Sequence, residues 1–154
     1  MAQTTVKTKL AFGVQGEFYD SSVKRVTPHV LKTTAVIGDL AWVDENGKAA
    51  ATGGASGEKP VGIFVSPKEY TNRGALGTET LTLGTGDVAQ VADIGHVIVK
   101  VGGAIKIGDP VYFGQGGWMN TATGNTGATA ISGARFVRVT AATGAEMAVV
   151  ELNG

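Results

Sequence analysis

The chain has no cysteine, only two histidines, and no apolar run approaching the length of a membrane span. Without cysteine there is no disulfide and no thiol nucleophile, and the redox compartment stays open. A spanning helix needs about eighteen apolar residues or more, so no membrane partner is expected. His29 and His96 stand far apart, each without a neighbour at metal-ligand spacing. A metal site of several imidazoles and a carboxylate is not available from them. Charge is scarce as well: 17% of the residues are charged, against a usual share of about 25%. Thirteen basic and thirteen acidic residues cancel to a formal net charge of zero. That removes the electrostatic drive toward nucleic acid, whose binding rests on neutralising phosphates. The opening residues, Met1-Ala2-Gln3-Thr4-Thr5, lack the basic-then-apolar order of a signal peptide.

Catalytic patterns are also missing. There is no Gly-x-Ser-x-Gly elbow, although a Ser-His-Asp site assembles in space and stays open at this stage. Gly84-Thr85-Gly86 lacks the Gly-Lys-Ser/Thr that would complete a phosphate loop and reads as a turn. Glu45, Glu58, Glu69 and Glu79 lie in or beside loops, without the pairing that glycosidase carboxylates need. No catalytic, cofactor-binding or metal-binding residue is assigned, and the chain is not expected to be an enzyme.

What the chain has in abundance is glycine, 24 of its 154 residues. With many turns, small residues and few charges, this composition favours an all-β domain. No segment carries sustained helical periodicity. A sandwich or barrel is expected, a jelly roll among the arrangements, with helix below about 10%.

The most informative stretch is Ile107-Gly108-Asp109-Pro110-Val111-Tyr112-Phe113, a turn that feeds a short strand. It repeats Ile37-Gly38-Asp39-Leu40-Ala41-Trp42-Val43; from residue 37 to residue 107 the offset is 70. The likeness continues through Ala51-Thr52-Gly53 and Ala122-Thr123-Gly124, then Val61 to Val65 and Phe136 to Val139. Two similar β-halves follow. Gly38-Asp39 and Gly108-Asp109 should form equivalent turns, and Trp42 and Tyr112 should hold corresponding strand positions.

Along the chain, Met1 to Lys9 reads as a polar, extended arm, and residues 10–154 as a single β domain. Val23 to Thr27 reads as a short edge strand stopped before Pro28. Glu45 to Lys59 and Gly114 to Gly133 read as mobile loops, and Ser66 to Gly77 as a long irregular loop, either disordered or used for contact. Trp118 is either a contact residue or a lid folded onto the core. His96 to Ile107 suggests a hairpin with a three-residue loop, Gly102 to Ala104, pairing Val101 with Ile105 and Val99 with Ile107. It would set Lys100 opposite Lys106. Arg135 to Thr140 and Ala145 to Leu152 close the chain as strands, joined by a turn at residues 141–144.

Two resemblances follow from these motifs. Val99 to Val111, with its Gly-Asp-x-Val turn, is similar to biotinyl and lipoyl carrier domains. Their modified lysine sits at a hairpin tip beside Met, whereas Lys106 lies between Ile105 and Ile107. The second covers most of the chain. Phe12 to Gly16, the Gly38 to Val43 turn and strand, Lys59 to Ile63, Gly95 to Val99 and Gly108 to Tyr112 occur in an order that resembles the capsid cement, or decoration, proteins of tailed bacteriophages. That resemblance implies an all-β virion protein on the outside of an icosahedral shell, bridging neighbouring major capsid subunits, without catalysis. A homo-oligomer is expected, with dimer and trimer both open. Another virion component, such as a head-fibre base or tail protein, is the competing reading.

Overall fold

The computed structural model describes residues 15–50, 57–66, 82–139 and 147–154. Among these residues there is no helix, and eleven strands follow one another. They are β1 (Arg25–Val30), β2 (Ala35–Val36), β3 (Leu40–Val43), β4 (Ala49–Ala50), β5 (Lys59–Val65) and β6 (Thr82–Leu83). Then come β7 (Val88–Lys100), β8 (Pro110–Gly114), β9 (Gly117–Met119), β10 (Thr129–Val139) and β11 (Met147–Asn153). One antiparallel sheet runs β4-β3-β5-β7-β11-β10-β8-β9, with β1 also paired to β7, and β2 pairs β6 separately.

Read inward from its two ends, this sheet gives the same succession twice: β4-β3-β5-β7 and β9-β8-β10-β11. The two Gly-Asp turns are equivalent bond for bond. Gly38 N donates to Phe64 O at 2.7 Å, Asp39 N to Val36 O at 3.2 Å, and Phe64 N to Asp39 O at 3.0 Å. Gly108 N donates to Phe136 O at 2.7 Å, Asp109 N to Lys106 O at 3.2 Å, and Phe136 N to Asp109 O at 3.1 Å. Both glycines have positive φ, 100° and 91°, which is why the motif needs glycine there. Trp42 pairs with Ala50 and Pro60, while Tyr112 pairs with Met119 and Ala130, so the two aromatics hold corresponding places.

Each half curls until its first strand meets its shortest hairpin. Leu31 forms a parallel bridge with Ala49, and Lys32 N donates to Ala49 O at 2.9 Å. Val101 forms a parallel bridge with Trp118, and Gly102 N donates to Trp118 O at 3.0 Å. β7 serves both halves. Its first part lies between β1 and β5, and its second part pairs with β11. Shared duty accounts for its 13 residues, well beyond a usual strand of about 5–6.

The core follows the same division. Leu31, Ala35, Ile37, Ala41, Ala49, Phe64 and Val91 fill the first half. Their counterparts Val101, Ile105, Val111, Trp118, Phe136 and Val150 fill the second, joined there by Leu40, Ile63, Val65 and Ala92 from the first. β5 is therefore buried on both faces from Gly62 to Val65, while Val61 before them is exposed.

Several local expectations change. The proposed Gly102 to Ala104 hairpin is absent: Lys100 pairs with Met147 and Val99 with Ala148, on β11. Alternation identifies the buried face of a strand but not its partner, and β11 supplies a seven-residue ladder. Ile105 is buried while Ile107 is 70% exposed. Pro28 lies inside β1, opposite Gln90. It is tolerated because β1 pairs with β7 alone, leaving the other edge free of ladder bonds. Ala49–Ala50, Gly117–Met119 and Thr129 onward, read as loop, are strands. The arm at residues 1–9, most of the Ser66 to Gly77 loop and the turn at 141–144 lie outside the described residues.

Candidate functional site

The two halves meet along a seam built from Gln15–Tyr19, the Gly38 turn and the second part of β7. Gly16 N donates to Ile98 O at 2.8 Å, Tyr19 N to His96 O at 2.8 Å, and Ser66 N to Gly16 O at 2.8 Å. Trp118 closes the seam from the other side. Its Nε1 donates to Gly38 O at 2.7 Å, and its ring lies 4.7 Å from that of Phe113. Trp118 is thus a buried clasp between the halves rather than a contact residue.

A cleft of about 210 Å³ opens beside this clasp, lined by Gln15, Asp39, Lys100, Phe113 and Trp118 among others. Asp39 and Asp109 share one motif but not one environment. Asp109 accepts from Asn120 Nδ2 at 2.7 Å and from Lys106 N at 2.9 Å. These bonds hold its carboxyl below the usual carboxylate range. Asp39 is pushed up to about 6 by burial. A raised carboxyl in a cleft is one mark of an active site. Among the described lining residues the other titratable side chain is Lys100, and there is no histidine, serine or second carboxylate.

The Asp39 shift has a consequence for stability. The folded state favours the protonated acid, so its contribution is full below the unfolded value of 3.8 and is lost as pH rises through about 6. Asp39→Asn should therefore raise the melting temperature at pH 8 more than at pH 4. Equal shifts in thermal melts at both pH values would show that this carboxyl is not desolvated.

The other cluster surrounds His96. Nδ1 lies 2.8 Å from Asp20 Oδ2 and 3.5 Å from Ser22 Oγ, and Nε2 lies 3.4 Å from Glu151 Oε2. A hydrolytic triad places serine and aspartate on opposite ring nitrogens. Here both approach Nδ1, Ser22 donates to Asp20, and Nε2 faces another carboxylate. The arrangement ties the Gln15–Ser22 segment to β7 and β11. Hydrogen bonds from Ser22 and His96 lower Asp20 to about 2.

The remaining sequence candidates are structural. His29 Nδ1 lies 2.8 Å from Gly47 O. Glu58 pairs with Lys32, and Gly84–Asp87 is a turn closed by Asp87 Oδ2 at 2.8 Å from Gly84 N. Glu69 and Glu79 lie outside the described residues. Among the described residues, no group of three or more His, Asp or Glu is placed to hold a metal.

The described residues form a two-fold repeated β-shell held by a buried clasp. The family model for the structural cement protein (E217 gp24/Pam3 gp6) matches residues 2–153. The chain belongs to that phage cement family, and it is a structural, capsid-stabilising component of a virion. A chain from the solved capsid of Myoviridae phage XM1 has a TM-score of 0.68 at 22% identity, covering 99% of this chain and 97% of that one. That likeness speaks for the fold. No curated protein matches the sequence. The carrier-domain alternative is not favoured: Lys106 belongs to the Gly108 turn, where its amide donates to Asp109.

Proposed function

We propose that the protein sits on the outer surface of an icosahedral phage shell and bridges neighbouring major capsid subunits without catalysing a reaction. The family match over nearly the whole chain carries this reading. The fold suits it. Two curled halves locked at a seam form a rigid block, and rigid blocks lose little conformational entropy on docking. Each copy adds modest contact, and a closed shell presents many equivalent sites, so the stabilisation accumulates by multivalency. Residues 1–9, outside the described part, act in this reading as an arm that joins the shell contact. A homo-oligomer, dimer or trimer, would double or triple the contacts of each unit.

Purified protein mixed with shells that lack it should co-sediment at a fixed ratio and appear by cryo-electron microscopy at regular positions between capsomers. Binding confined to a tail, or to a single vertex, would favour a tail or fibre-base role instead.

A further inference from the structure

The two Gly-Asp turns share a backbone but not a covering. At the first, Ile37 is 1% exposed. The chain's own Gln15–Gly16 lies over it. Gln15 Nε2 donates to Ile37 O at 2.8 Å, and a methyl group on Gly16 would strike the Ile37 side chain. A methyl on Gly38 would touch Gln15, and Gly38 O takes the Trp118 indole N–H.

At the second turn this covering is missing. Ile107 is 70% exposed, and a methyl group on Gly108 would meet open space. Among the described residues, nothing donates to the Ile107 or Gly108 carbonyls. The turn beneath is nonetheless built to the same hydrogen-bond plan. The array of two halves therefore ends in an open seat, apolar at Ile107 and with two free acceptors beside it.

We propose that Ile107–Gly108 seats an extended segment of the capsid subunit, with a side-chain N–H donor next to a glycine, in the manner of Gln15–Gly16 on Ile37. This rests on the capsid-bridging reading above. The Gln15–Gly16 of a second copy is a poor source for the segment, being already engaged with Ile37, Ile98 and Ser66 in its own seam. Extended segments gain affinity through backbone hydrogen bonds, and one apolar anchor in a seat supplies the specificity.

The test uses full-length protein and shells that lack it. Ile107→Asp places a charge on an exposed turn and should leave the melting temperature unchanged while weakening shell binding by about tenfold or more. Ile107→Leu should bind as the natural chain does. A photo-crosslinking side chain at position 107 should join the capsid subunit. Full shell binding by Ile107→Asp would overturn the seat and leave the cement reading intact. Crosslinks to a second copy alone would overturn the choice of occupant. Failure of the natural chain to bind shells would instead remove the reading beneath the proposal.

Discussion

Trp118→Ala should be the most damaging single substitution in the described part of the chain, costing about 4 kcal/mol of folding free energy. The side chain is 2% exposed and stands where the first half has only Ala49. Its removal opens a large cavity in the second core and strips the contact with Phe113. It also leaves Gly38 O without its donor, a loss of about 1 kcal/mol more. For a chain of this size each kcal/mol corresponds to roughly 2–4 °C in melting temperature. Trp118→Phe keeps an aromatic ring and loses the hydrogen bond, so it should fall between the two. Denaturant unfolding reads both variants. If the alanine variant unfolded at the natural midpoint, the indole would not be what clasps the halves.

Gly62→Ala should come next, at about 3 kcal/mol, toward the upper end of what overpacking costs. Gly62 has an ordinary backbone conformation, so the reason is space and not φ. A methyl group there would lie inside van der Waals contact of the Ala92 carbonyl oxygen and press on the carbonyl carbon behind it. Backbone atoms cannot swing aside as a flexible side chain can, so β5 and β7 would have to part. Gly103→Ala is the matched control. Its methyl would meet only the Met119 Cε at 3.6 Å, ordinary contact, and stability should change by less than about 0.5 kcal/mol. Equal melting curves for the two variants would show that β5 and β7 do not approach closely at Gly62.

The sequence disclosed what is local and repeated. Ile-Gly-Asp twice at an offset of 70 named two turns that share all three backbone hydrogen bonds, and it placed Trp42 and Tyr112 in register. Turn chemistry lies within a few residues, so a short motif can carry it. Strand partners are set by the whole chain, and here the reading failed. Val97, Val99 and Val101 do face one core, yet Val97 and Val99 pair with β11, some fifty residues on, and Val101 bridges Trp118, not Ile105 to Ile107.

Pro28 suggested a strand end, but the free edge of β1 made the missing donor harmless. The site was less legible still. Asp39 and Asp109 look alike in sequence, but burial at the seam raises the one and hydrogen bonds from Asn120 and the Lys106 amide lower the other. Likewise, Ile37 and Ile107 differ because Gln15–Gly16 folds back on one of them.

The central claim is that this β block holds a capsid together from outside. The most direct measurement is the disruption temperature of shells prepared without the protein, before and after it is added back at saturation. The account predicts a higher disruption temperature with the protein bound, with the gain tracking occupancy. Shells that bind the protein fully and yet come apart at the same temperature would contradict it.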